Sequence, residues 1–137
     1  MASRLNPYLS FDGNAREAME FYRDVFGGEL TISTFGEMGA EGADAEKVMH
    51  AMLETDAGYT LMAGDTPQGM QYVAGTTAIS ISGDDVEQLR GYFTRLSEGG
   101  QVTMPLEKQM WGDEFGMCTD RFGQAWMVDI DGNAVAD

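Results

Sequence analysis

The second half of this sequence repeats the punctuation of the first, and that restricts the fold more than any single motif does. Leu9-Ser10-Phe11 with Gly13 matches Ile79-Ser80-Ile81 with Gly83, and Gly27-Gly28 matches Gly99-Gly100. Thr55-Asp56 with Gly58 matches Thr119-Asp120 with Gly123, and Leu61-Met62 matches Trp126-Met127. The offsets are 70, 72, 64 and 65, as differing loop lengths would produce. A repeat of this kind means one supersecondary unit used twice.

Hydrophobic spacing gives the unit its content. In the first half, Leu5–Phe11 reads as a strand, Asp12-Gly13-Asn14 as a turn, and Asn14 as the cap of a helix. Ala15, Ala18, Met19, Tyr22, Val25 and Phe26 recur at helical spacing, and Gly27-Gly28 ends the run. Glu29–Phe35, Val48–Thr55 and Tyr59–Ala63 read as strands, the last two joined by a hairpin at Asp56-Ala57-Gly58. Gly36–Glu46, with four acidic residues and three glycines, reads as a flexible loop and a candidate lid. The second half gives a strand over Thr76–Ser82, a capped turn at Gly83-Asp84-Asp85 and a helix over Val86–Leu96. A short strand at Val102–Met104 and a hairpin of Phe115–Thr119 with Ala125–Ile130 follow. Each half is therefore strand–helix–strand–strand–strand. The expected class is α+β, one domain over 1–137, with module 1 at about 4–66, a linker at about 67–75 and module 2 at about 76–131.

Charge excludes partners more than it identifies them. Eight basic residues against 23 acidic ones leave −15. Nucleic acid and anionic membranes both need clustered Lys and Arg, so neither is an expected partner. Solubility is the ordinary reading of such a charge, and a cationic ligand is the functional one. No apolar run approaches the roughly 18 residues of a membrane span, and the N-terminus lacks a leader's apolar core. The single cysteine, Cys118, has no partner for an internal disulfide. It reads as a small buried side chain, and a reducing cytoplasm is the expected compartment.

Two consecutive βαβββ units in this length resemble the vicinal oxygen chelate superfamily, which includes glyoxalase I, fosfomycin-resistance enzymes, extradiol dioxygenases and bleomycin-binding proteins. Details are similar to its PhnB-like branch: Pro7-Tyr8-Leu9-Ser10-Phe11, Gly13-Asn14, Phe35-Gly36-Glu37-Met38, His50-Ala51, Trp111 with Phe115-Gly116, and Thr119-Asp120-Arg121-Phe122-Gly123 with Trp126-Met127. The resemblance implies two modules forming a curved mixed sheet around a cavity, helices outside, and a homodimer. Catalytic members hold a divalent metal with His, Gln or Glu on the first and last strand of each half. Carried over, those places fall on Met62 and Met127, and near Asn6-Pro7 and Thr76-Thr77. Thioethers and proline are poor partners for Mg²⁺, Mn²⁺ or Zn²⁺, so the usual metal centre is expected to be absent and no cofactor is expected. A divalent metal at another place stays open.

The residues then offer a binding site and a rival. Met62 and Met127 would floor an apolar pocket, Trp111 would wall it and Glu114 would supply an acidic rim. That set suits a small, cationic ligand. A four-residue turn at 120–123 would pair Gly116 with Met127 and put Glu114 on the face of Met127. Each has a plain alternative: core methionines, a tryptophan anchor, a solvated strand-end carboxylate. The rival is an enzyme of lyase, transferase or dioxygenase type with His50, the only histidine, as acid/base. Alternation groups His50 with Met52 and Glu54, but a one-residue slip would move it to the other face. A third reading is an oligomeric or partner-binding protein whose cavity is filled by its own side chains. Dinucleotide and phosphate loops are absent, because the glycine pairs follow helices instead of opening them.

Overall fold

The computed structural model describes residues 3, 5–67, 69–72 and 77–134. Two compact units divide the chain, residues 1–75 and 76–137. The first contains β1 (Tyr8–Phe11), α1 (Ala15–Phe26), β2 (Glu29–Thr34), β3 (Val48–Glu54) and β4 (Thr60–Asp65). The second contains β5 (Ile79–Gly83), α2 (Val86–Ser97), β6 (Gln101–Lys108), β7 (Glu114–Thr119) and β8 (Ala125–Ile130). The architecture is α+β. Each unit is a four-stranded mixed sheet, ordered β1-β4-β3-β2 and β5-β8-β7-β6, with the first strand of each parallel to the last. A parallel pair needs a crossover, and here the helix and the two intervening strands supply it.

One face of each sheet carries the core. Leu9, Phe11, Ala51, Leu53, Leu61 and Ala63 bury with Ala18, Met19, Tyr22, Val25 and Phe26 of α1. Ile81, Cys118, Trp126, Val128 and Ile130 bury with Leu89, Tyr92, Phe93 and Leu96 of α2. The intervening strand residues point to the helix-free face, by the two-residue period of a strand.

The repeat is tighter than the sequence matches suggest. The second glycine of each pair lies beneath the end of a strand. A Cβ on Gly28 would stand 2.0 Å from the carbonyl oxygen of Glu54, and one on Gly100 would stand 2.1 Å from that of Thr119. Gly28 thus corresponds to Gly100, Glu54 to Thr119 and Thr55 to Asp120. Tyr8 pairs with Met62 as Ser80 pairs with Met127, so the first strands are also offset by 72. Offsets of 72 in the first strands and 65 in the hairpins, with 71 between the helices, replace the 70 and 64 of the sequence matches.

Both hairpin turns are longer than the sequence suggests, the first by two residues and the second by one. Glu54 pairs with Thr60 and Thr119 with Ala125, leaving five-residue loops. Thr55 Oγ1 accepts from the Tyr59 N–H at 2.9 Å, and Asp120 Oδ1 accepts from the N–H groups of Phe122 and Gln124 at 2.8 and 3.1 Å. These side-chain turns define the loop and hence the register.

Other expectations need revision. Asn14 makes no capping hydrogen bond. The start of α1 is held instead by Asp65, whose Oδ1 accepts from the N–H groups of Gly13 and Ala15 at 2.9 and 3.0 Å, while Oδ2 accepts from Val48 N–H at 2.9 Å. A strand-end carboxylate fifty residues away does the work of a local cap. Asp85 caps α2 as the sequence suggests, accepting from Gln88 N–H at 3.1 Å. The expected flexible lid is two 3₁₀ turns, Gly36–Met38 and Gly42–Asp44. It is closed at its base by Phe35 N–H to Lys47 O at 3.1 Å and Gly36 N–H to Ala45 O at 2.8 Å. β6 runs to Lys108, well past the expected Met104. Thr76 and much of the expected linker (68 and 73–75) lie outside the described residues.

Candidate functional site

The helix-free faces hold most of the sequence-nominated residues. In the first unit, Ala51 pairs with Ala63 and Leu53 with Leu61 on the helix side, so His50, Met52 and Glu54 point the other way, as alternation predicts. Met52 stands directly opposite Met62, and Tyr8 of β1 flanks Met62. The rings of Tyr8 and His50 lie 5.9 Å apart with 31° between their planes. Gly64 faces them without a side chain, and a Cβ there would come within 2.8 Å of the Tyr8 hydroxyl.

The second unit carries the same pattern with different chemistry. Met117 stands opposite Met127, and Met104 of β6 registers against Met117. Phe115 occupies the place of His50 in the repeat. Trp111, 58% exposed, meets Phe115 edge-on at 6.0 Å and 61°. Trp111 and Met127 therefore belong to one thioether and aromatic surface, joined by Phe115. The turn carrying Trp111 is fixed by Gln109 N–H to Asp113 O and Gly112 N–H to Gln109 O, at 2.8 and 3.0 Å. Asp113 Oδ1 then accepts from Gly132 N–H at 2.8 Å.

Glu114 is elsewhere. The longer turn pairs Glu114 with Ile130 and Met117 with Met127, so Glu114 shares the helix side with Cys118 and Trp126. Only 7% exposed, it accepts two bonds from Arg90 of α2, Nε to Oε1 at 2.9 Å and the second nitrogen to Oε2 at 2.7 Å. The Arg90 hydrogen bond, aided by charge attraction and opposed by burial, holds the Glu114 carboxyl below its ordinary range. Glu114 fastens helix to sheet and is not a rim residue beside Met127.

The carboxyl groups near the second face are Asp113 and Asp129. Asp129 follows Met127 at strand spacing and stands opposite Phe115. Burial raises its pKa, and so do its hydrogen bond to Asp113 and repulsion from Asp113 and Asp131. Applying the 65-residue offset to His50 and Met52 would have found Phe115 and Met117. Cys118 is buried, its thiol pushed up chiefly by desolvation, which keeps it protonated and unreactive.

Among the described residues, no group of three or more His, Cys, Asp or Glu side chains is arranged to hold a metal ion. Met62 and Met127 present thioethers where metal-dependent relatives are expected to present carboxylate or imidazole. This donor set does not fit a hard or borderline divalent ion.

The sequence pattern of the glyoxalase/bleomycin resistance protein/dioxygenase superfamily matches residues 4–128. The chain belongs to that superfamily. It is 29% identical to protein YjdN of Escherichia coli K12 over 139 residues, covering 92% of this chain and 94% of that one. It is 31% identical to the uncharacterized Mycobacterium bovis protein Mb0911c, covering 90% and 80%. Among solved structures, PA1353 from Pseudomonas aeruginosa matches with a TM-score of 0.85 at 38% identity, covering 95% of this chain and 98% of that one. A PhnB protein from Bacillus cereus shares the fold, with a TM-score of 0.73 at 22% identity, covering 94% and 100%. No helix among the described residues is long and apolar enough to cross a membrane.

Proposed function

We propose that this protein binds a small, cationic, aromatic molecule and does so without the superfamily's divalent metal centre. The observation that carries this reading is the helix-free face of the second unit. Met104, Met117 and Met127 supply polarisable thioethers there, Phe115 and Trp111 supply rings, and Asp129 with Asp113 supplies negative charge. Thioethers adapt to varied shapes and make favourable contacts with rings. Aromatic faces attract cations. The Met52–Met62 pair gives the first unit a smaller surface of the same kind.

Tryptophan fluorescence tests it directly. Trp126 is buried, its indole N–H bonded to Asp120 Oδ2 at 2.8 Å, so an added ligand should quench Trp111. Saturable quenching by a cationic acridine, unmatched by an anionic dye of similar size, is expected. Trp111→Ala, followed by the acridine's own emission, should weaken binding about tenfold, the worth of roughly 1.4 kcal/mol. Equal response to both dyes, or none to either, overturns the reading. The same reading includes a homodimer in the cytoplasm, and light scattering that shows a monomer at micromolar concentration counts against the dimer.

The Tyr8–His50 ring pair favours a second reading, an enzyme in which His50 transfers a proton. An imidazole on an open face beside a phenol has the chemistry for general acid–base work. Once a turnover is found, His50→Gln with unchanged kcat removes His50 from that role.

A further inference from the structure

We infer that the helix-free face of the first unit is a binding site for a soft monovalent metal ion, of the Cu(I) or Ag(I) class, held by His50, Met52 and Met62. The thioethers that do not fit a hard divalent ion are the donors that a soft ion selects, and imidazole completes such a set. Met52 and Met62 are direct cross-strand partners, so their Cβ atoms are separated by about 4.5–5.5 Å. Two flexible side chains starting that close can place both sulfurs on one ion. His50 lies two residues from Met52 on the same strand face, about 7 Å along β3, and is the diagonal neighbour of Met62. All three side chains are partly buried, neither sealed in the core nor free in solvent.

The surroundings fit a cation. Tyr8 covers one side, its ring 5.9 Å from that of His50. A ring face at such a place stabilises positive charge. Gly64 follows Ala63, the partner of Ala51, and a Cβ there would meet the Tyr8 hydroxyl at 2.8 Å and the Met49 carbonyl oxygen at 2.9 Å. The glycine leaves room for the phenol to stand beside the donors.

The repeat supplies an internal control. The second unit has the same methionine pair, Met117 opposite Met127, but Phe115 stands where His50 is. Two thioethers without imidazole should bind a soft ion more weakly. This inference does not depend on the cationic-ligand reading, which rests on the second unit.

The experiment uses full-length protein labelled with ¹³C at the methionine methyls and titrated with Ag(I), a diamagnetic probe. Up to one equivalent, the Met52 and Met62 methyls should shift while Met117 and Met127 stay in place. Competition with bicinchoninate should show one Cu(I) bound per chain. His50→Phe, which copies the second unit, and Met62→Leu should each weaken Cu(I) binding at least tenfold. Phe115→His should add a second site. Cys118→Ser should leave the affinity unchanged. The inference is overturned if the Met117 and Met127 methyls respond first, or if His50→Phe and Met62→Leu bind as the unaltered chain does. It is also overturned if Cys118→Ser abolishes binding, which would move the ion to the thiol. Retained methyl dispersion in each variant shows that the sheet is intact.

Discussion

The two units share a backbone plan and differ in what they attach to it. Both end the helix with a glycine pair tucked under a strand end, both use a five-residue hairpin, and both place two methionines opposite each other on the helix-free face. The first unit adds imidazole and phenol to that face, whereas the second adds phenyl, indole and carboxylate. Helix anchoring also differs. Asp65 holds the start of α1 through the Gly13 and Ala15 N–H groups and the start of β3 through that of Val48, while α2 is joined to its sheet by the Arg90–Glu114 ion pair. Backbone constraints have thus been kept while side-chain chemistry diverged, as expected when packing sets the scaffold and surface residues set the function.

The glycine pairs give the sharpest test of this equivalence. Gly28 has a φ of 110° and Gly100 has no positive φ, though both face a carbonyl at about the same distance. Gly28→Ala therefore combines backbone strain with a clash and should cost at least about 3 kcal/mol. Gly100→Ala meets the clash alone and should cost about 2 kcal/mol. Urea denaturation of both variants reads the difference, and equal losses would mean the two stops are not built as described.

The buried aspartates come next. Asp65→Ala strands three N–H groups and should cost about 3 kcal/mol. Asp120→Ala frees two turn N–H groups and the Trp126 indole and should cost about 2 kcal/mol, with a change in near-ultraviolet circular dichroism. A smaller loss for Asp65 than for Asp120 would contradict its role as the anchor of α1.

Within the second unit, acid titration separates the carboxyl on the helix side from the one on the helix-free face. The folded Glu114 carboxyl titrates below its unfolded value. Its contribution is therefore present above the ordinary Glu range of about 4.3 and is lost as pH falls through the lowered folded value. Glu114→Gln should be less stable than the unaltered chain at neutral pH, with the gap closing in acid. Asp129 has the opposite sign. Its raised folded pKa favours folding at low pH, and that contribution is lost as pH rises through the raised value. Asp129→Asn should stabilise the protein at neutral pH by about 0.5 kcal/mol and not at all in acid. Thermal melts across pH 3 to about 8 check both signs.

Residues with local meaning were readable from the sequence, and those with distant partners were not. Helical spacing located α1 and α2 because each has one apolar stripe, and the glycine pairs marked their ends. The alternation of β3 groups His50 with Met52 and Glu54, but their face is set only by the register with β4, which turns Ala51 and Leu53 toward the helix. Asp65 was invisible as a cap because its targets lie fifty and seventeen residues away. A four-residue Asp120 turn would put Glu114 on the face of Met127, and the fifth residue puts it on the helix side. That single residue reverses every side chain along β7 relative to β8. The aromatic contact of Trp111 with Phe115 could not be read from spacing alone, since it depends on how the turn folds back.

The acidic segment between β2 and β3 has a consequence for engineering. Its two ends are joined by the hydrogen bond from Phe35 to Lys47. The tip residues Glu37–Gly42 are exposed to solvent. Lengthening a loop whose ends already meet costs little, about 0.6 kcal/mol for each doubling. A peptide tag or a fluorescent reporter inserted near Ala40 should therefore leave both strands in register, making this segment a natural handle for immobilising the protein while its binding faces are assayed.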